Sequence, residues 1–207
     1  SYLSFVYPHS DETVLPIKRA VTKLAEDLSA PAFIDGGDET PYYFDEKAQK
    51  RGIAYHAYLQ YADLYDTDVY GETKRLLKAG KLTDEQEKLL NPEKLREIIA
   101  SGIFAELKGY ALYREQPFIV SLPADEVSTF ASKSDLLVQG VIDLLAVKGN
   151  EAIIVDYKTS KKSAKDLKAR YAEQLIIYKK AVEKTLGLSV KKTILFNIST
   201  IESVDVT

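Results

Sequence analysis

A chain of 207 residues, 45% of them hydrophobic, is long enough to bury one sizeable core. With 31 acidic against 28 basic side chains the net charge is −3, so any nucleic-acid role must rest on a local patch, on metal ions or on a larger partner rather than on bulk charge. The absence of cysteine excludes disulfides, thiolate zinc sites and a cysteine-held iron–sulfur cluster.

No apolar run approaches the roughly 20 residues of a membrane span and no secretory leader opens the chain, so no membrane partner and a cytoplasmic setting are expected. Methionine is absent too, even at position 1, so a piece of a longer protein is expected. Residues 1–10 read as strand-like or irregular. Asp11 or Thr13 then begins a first helix through IKRAVTKLAEDL, and the Pro-, Gly- and acid-rich stretch 29–43 reads as a loop. A second helix is predicted from Asp45 to about Tyr65. Two short helices follow, the later one starting at Asn91-Pro92 and ending near Gly109.

From Tyr110 the period changes. ALYREQPFIVSLP, LLVQGVIDLLAVK and EAIIVDYKT read as three strands. Ser163, with Asp166 three residues on, caps a long helix that stops at Gly187, and KKTILFNIS is a last strand. Helices followed by β-β-β-α-β give an α/β or α+β class with a mixed sheet flanked by helices. One domain over 1–207 is expected, with a mainly helical part at 1–109 and a core at 110–207. No GxxxxGK[ST] loop is present, so the chain binds no nucleotide in that way.

The stretch GVIDLLAVKGNEAIIVDYKTS carries one acid in each of two apolar runs. A two-residue turn at Gly149-Asn150 pairs Lys148 with Glu151 and Val147 with Ala152. That register sets Asp143 opposite Asp156, with Cβ atoms about 5 Å apart. Lys158 shares their face, while Ile142 and Tyr157 point the other way, into the core. Facing carboxylates repel and are costly to desolvate. A hard divalent cation between them, Mg2+ or Mn2+, accounts for the pair, with Lys158 beside it to hold or activate a water. A solvated cross-strand charge cluster accounts for the same spacing.

These residues resemble the PD-(D/E)XK nuclease superfamily, in its RecB-like branch. The resemblance rests on Gly140-Val141-Ile142-Asp143, on Asp156-Tyr157-Lys158-Thr159, and on Gln174 with Tyr178. Upstream it includes Gly52-Ile53-Ala54-Tyr55-His56 and Arg114-Glu115-Gln116-Pro117-Phe118. Each motif alone is common, but together they stand in the family's order over residues 52–178. Within the branch the sequence is similar to the C-terminal nuclease domains of AddA-type helicase–nucleases, and VYPHSDETVLPIKRAVTKL resembles their opening segment. The cysteine motif of the AddB-like and Cas4-like relatives is missing.

The resemblance implies a restriction-endonuclease-like core. It also implies a metal held by His56, Asp143, Asp156 and the backbone carbonyl of Tyr157. Lys158 would orient the attacking water and stabilise charge on the phosphate. Glu115 would lie in the active site, and Gln174 and Tyr178 would help place the DNA backbone. Taken as residues alone, several have plainer roles. His56 can be a core or surface histidine and Glu115 an exposed strand acid. Gln174 and Tyr178, spaced i and i+4, can belong to a core stripe with Tyr171. Arg114 reads as a surface residue or a phosphate contact. The basic run from Lys158 to Arg170 reads as a solvated helix end, with Lys161 and Lys162 also able to steer a DNA strand.

The activity implied is a metal-dependent DNA exonuclease leaving 5′-phosphates, acting on single-stranded DNA within a helicase–nuclease of double-strand-break repair. Its partners would be the helicase portion of the same parent chain and a second, AddB-like subunit. The alternatives are a non-catalytic DNA-binding or scaffold domain of the same fold, and a stand-alone phage or defence nuclease.

Overall fold

The computed structural model describes residues 18–20, 46–127 and 134–207. The predicted opening strand at 1–10 and the loop at 29–43 lie outside the described residues. Element order is β1 (Lys18–Ala20), α1 (Glu46–Tyr61), α2 (Val69–Lys78), α3 (Asp84–Glu87), α4 (Pro92–Ile99), α5 (Gly102–Glu106) and β2 (Ala111–Pro123). There follow α6 (Ala124–Val127), β3 (Asp135–Lys148), β4 (Glu151–Lys158), α7 (Ala164–Leu186), β5 (Ser189–Asn197) and β6 (Glu202–Asp205).

The local signals explain most of these bounds. Ser163 caps α7 by accepting from the Asp166 amide at 3.2 Å, and Gly187, at φ 65°, ends it in the left-handed conformation. Asn91 caps α4 by accepting from the amides of Glu93 and Lys94, with Pro92 in the first turn. The β3–β4 hairpin turns on Gly149 at φ 60°.

The six strands form one mixed sheet in the order β1-β3-β4-β5-β6, with β2 on the opposite edge of β3. β2 runs antiparallel to β3 from Ala111↔Val147 to Pro123↔Asp135. β4 pairs antiparallel with β3 and parallel with β5, and α7 makes the crossover that a parallel pair requires. The sheet is covered on both faces. Ile153, Val155 and Tyr157 of β4 pack with Tyr58, Leu59 and Phe104 from the helices between α1 and α5. The alternate residues Ala152 and Ile154 pack with Ile177, Ala181 and Val182 of α7. This is a restriction-endonuclease-like α/β architecture.

Three expectations are corrected. Lys18–Ala20, read as part of a first helix, is a strand parallel to Leu137–Gln139. β2 fills one edge of β3 along its length, whereas β4 covers the other edge only at Leu144–Lys148. β1 supplies partners for the edge left over, so tertiary pairing overrides helical propensity. The second helix ends at Tyr61 rather than near Tyr65 because guanidinium groups cap it. Arg114 Nη1 donates to the carbonyls of Gln60 and Ala62, and Arg75 Nη2 to that of Tyr61. In place of the two short helices expected there are four. The Thr83–Gln86 capping box starts α3, and Ser101 breaks the later helix into α4 and α5.

Candidate active site

The hairpin register holds from Lys148↔Glu151 to Leu144↔Val155 and stops there. Asp143 and Asp156 therefore do not form the rung that the sequence predicts. Asp143 Oδ2 instead accepts from the Tyr157 amide at 2.7 Å, so a side-chain carboxylate takes a backbone donor the ladder would have used. Facing carboxylates resist closer approach, and parting the strands here relieves their repulsion.

Across β3, Glu115 lies between the paired residues Arg114↔Leu144 and Gln116↔Ile142, which puts it opposite Asp143. Its φ is 48°, a left-handed conformation that is strained for a residue with a Cβ. His56 arrives from α1. Its Nε2 is 3.2 Å from the Tyr157 carbonyl, which can only accept, so Nε2 carries the hydrogen. Nδ1 then faces the acids, 3.7 Å from Asp143 Oδ1 and 3.9 Å from Glu115 Oε1. One ligand atom from each of His56, Glu115 and Asp143 fits within 4.8 Å of the others.

Asp156 lies deeper, its side chain 2% exposed against 30% for His56 and 31% for Glu115. Its Oδ2 is 2.5 Å from Lys158 Nζ, and Oδ1 accepts from Gln174 Nε2 at 3.3 Å. Gln174 also donates to Tyr178 Oη at 2.6 Å. Lys158 Nζ sits 4.6 Å from the centre of the Tyr171 ring, a cation–π contact. The helix stripe Tyr171, Gln174 and Tyr178 thus supports the two polar residues at the end of β4. A cavity of about 380 Å3, bordered by Gly52, His56, Gln60 and Glu115, opens at the exposed side of the cluster.

The electrostatics are those of a site short of positive charge. Burial and the nearby Asp156 push Asp143 up to about 7, against the opposing pull of His56 and Lys158. Burial works to lower the pKa of His56, but Glu115, Asp143 and Asp156 outweigh it and raise it. Burial likewise opposes the charge on Lys158, and Asp156 with Asp143 more than restores it. Lys158 is therefore a cation and a proton donor, not a base. An oxygen- and imidazole-lined cluster in which the half-buried Asp143 holds its proton to neutral pH is a fitting place for a hard divalent cation.

The structure thus brings His56, Glu115, Asp143, Asp156, Tyr157, Lys158, Gln174 and Tyr178 together where the C-terminal end of β4 parts from the middle of β3. Arg114, read as a surface residue or a phosphate contact, instead spends its guanidinium on the end of α1. Asn197 is a residue that sequence reasoning misses. It is buried beside Lys158 on β5, donates to the Lys162 carbonyl at 3.1 Å and accepts from the amides of Ser160 and Ser199. It pins the turn after Lys158. An amide side chain closing the apolar run TILFN is its only trace in the sequence.

A mixed sheet with acids on two splayed strands, a lysine two residues past the second acid and a helix behind them is the frame of a nuclease. The family model of the PD-(D/E)XK nuclease superfamily matches residues 33–203, and the chain belongs to that superfamily. It is similar to the A subunit of the ATP-dependent helicase/nuclease of Carboxydothermus hydrogenoformans, at 32% identity over 95% of this chain and 18% of the relative. The protein of that name from Ruminiclostridium cellulolyticum is 29% identical over 98% of this chain and 18% of its own length. That from Heliobacterium modesticaldum is 32% identical over 73% and 12%. The chain therefore spans under a fifth of the length of the curated relatives it matches. No helix among the described residues is long and apolar enough to cross a membrane.

Proposed function

We propose that this protein is a metal-dependent DNA nuclease, one domain of a cytoplasmic helicase–nuclease like these relatives. The observation that carries the reading is the convergence of His56, Glu115 and Asp143 beside the buried Asp156–Lys158 pair. His56, Glu115, Asp143 and Asp156 would hold Mg2+ or Mn2+; the Tyr157 carbonyl, read from the sequence as a further ligand, is contacted at 3.2 Å by His56 Nε2, the ring nitrogen opposite the one that faces the acids. Such an ion supplies polarisation of the scissile phosphate and a more acidic water.

The protein's own residues do the rest. Lys158, kept protonated by Asp156 and held over Tyr171, donates to a phosphate oxygen or to the attacking water and offsets charge in the transition state. Gln174 fixes Asp156, and Tyr178 fixes Gln174. Glu115 and Asp143 hold the Nδ1 side of His56 toward the substrate opening. Water attacks phosphorus, the 3′-oxygen leaves, and a 5′-phosphate end results. The substrate is single-stranded DNA, degraded exonucleolytically during double-strand-break repair. The strand is delivered by the helicase portion of the parent chain with a second, AddB-like subunit.

End-labelled single-stranded DNA incubated with the protein and Mg2+, Mn2+ or EDTA tests this. Cleavage with either metal, absent in EDTA and lost in Asp156→Ala, is expected, with a ladder of 5′-phosphate products. Equal cleavage by Asp156→Ala, or none with any metal, would sink the reading.

A further inference from the structure

α1 presents two different faces. His56 lies on the active-site face with Gly52 and Gln60. Lys47, Arg51 and Tyr55, at i, i+4 and i+8, lie on another and border a separate cavity of about 560 Å3. The end of β4 and the turn after it are shared in the same way: Lys158 enters the catalytic cluster, and the next residue, Thr159, borders this second cavity. The two hollows are thus neighbours, divided by one helix and one strand end.

The lining of the second cavity is unusual for this chain. It carries Lys47, Arg51, Lys88, Lys94 and Lys161 and no acid, in a protein whose acids outnumber its bases by 31 to 28. Lys94 is paired with Glu97 at 2.6 Å. Among the described residues the other four have no acidic partner. Thr159 borders the cavity, with its Oγ1 buried against Gly52 of α1 and without a hydrogen-bond partner. Between the cations the wall is apolar, formed by Leu89, Leu90 and Ile198. Unpaired like charges gathered in a concave surface raise the local potential and concentrate a counter-ion. Cations around an apolar wall suit a chain that alternates phosphates with sugars and bases, better than they suit a free inorganic anion.

We propose that this cavity is a second nucleic-acid subsite, which holds a phosphate and the adjoining nucleoside of the strand whose neighbouring phosphodiester lies at the Asp143–Asp156 cluster. The proposal rests on the nuclease reading for the identity of the strand, but it makes a separate claim about where that strand runs. Lys47, Arg51, Lys88 and Lys161 take the phosphate, and Leu89 and Leu90 take the sugar or base. The subsite would hold the strand beside the cleavage point, and would favour substrates long enough to fill both hollows.

The test is binding of a fluorescent single-stranded DNA oligonucleotide, by anisotropy without divalent metal, to the protein and to the double variant Arg51→Gln, Lys88→Gln. A second double variant, Lys74→Gln, Lys78→Gln, removes the same charge from α2, away from the cavity. Hydrolysis of a small p-nitrophenyl phosphodiester, too short to reach the cavity, reads the catalytic cluster alone. The cavity variant should bind about tenfold more weakly, with a salt dependence shallower by about one phosphate contact, and should hydrolyse the small diester at the unchanged rate. The α2 variant should match the parent. Equal binding by the cavity variant, or equal loss in the α2 variant, would overturn the subsite. If no protein hydrolyses the small diester, the nuclease reading fails, while the binding comparison still decides whether the cavity holds a nucleic-acid strand.

Discussion

At the scale of single residues the candidate site is held against its own electrostatic and conformational preferences. Glu115 occupies a left-handed conformation at φ 48° that a glycine would adopt without strain. Glu115→Gly should therefore stabilise the protein by about 1 kcal/mol, roughly 2–4 °C in Tm for a chain of this size, while metal-dependent cleavage falls. Glu115→Ala should lose cleavage without that gain, because its Cβ keeps the strain; melting curves of the two variants separate the effects. Asp143 gives a pH-dependent counterpart in metal-free protein. Unfolded, its carboxyl releases the proton near its ordinary value of 3.8; folded, it holds the proton up to about 7. Across that window the folded state binds more protons, so this residue makes stability fall as pH rises from about 4 to about 7. Asp143→Asn should show a Tm advantage over the parent that grows through this window and levels off above it. An advantage independent of pH would mean that Asp143 is not the group under strain.

At the scale of elements, the helix that carries His56 is fixed from the strand that carries Glu115. Arg114 Nη1 reaches the Gln60 and Ala62 carbonyls at 3.2 and 2.6 Å, so β2 caps α1 while the next residue of β2 faces His56. Arg114→Leu leaves these carbonyls short of a donor and should cost about 1–3 kcal/mol in chemical denaturation. Its kcat for DNA cleavage should drop as His56 shifts, and retention of full stability would argue that water replaces the guanidinium. This tie is not legible in the sequence, because a capping arginine and a surface arginine look alike until the strand and helix are brought together. What is legible is local. Ser163 and Gly187 bound α7 as their types demand, and Gly149-Asn150 fixes a register that five pairs obey. The register is lost from Asp143 onward, where two acids meet, so that Ile142 and Tyr157, expected on one face, pack into different cores, and the periodicity of an ideal hairpin carries no information about that repulsion. β1 escapes sequence reading for a related reason, since three residues take their structure from an open edge of β3 far along the chain.

At the scale of the whole molecule, the two packed faces of the sheet are built from apolar alternation, and their polar ends converge where β3 and β4 part. The fold tolerates the buried Asp156 and the half-buried Asp143 and Lys158 because each is paired, but Asp143 keeps its proton to neutral pH, so the pairing is one positive charge short. A divalent ion that binds only the folded arrangement should supply that charge and stabilise the entire domain. At a concentration about 100 times its Kd the gain is about 2.7 kcal/mol, or roughly 5–10 °C in Tm for a domain of this length. The rise should appear with Mn2+ and Mg2+, vanish with EDTA and be largely lost in Asp143→Asn, whose amide repairs the charge imbalance but ligates poorly. Ser163→Ala, which weakens α7 by about 1 kcal/mol through loss of its cap, should lower the melting temperature with and without metal alike. A metal-induced rise that survives in Asp143→Asn would place the ion elsewhere on the molecule, because Ser163→Ala shifts the baseline and leaves the metal-induced increment intact, whereas Asp143→Asn removes a ligand at the strand junction.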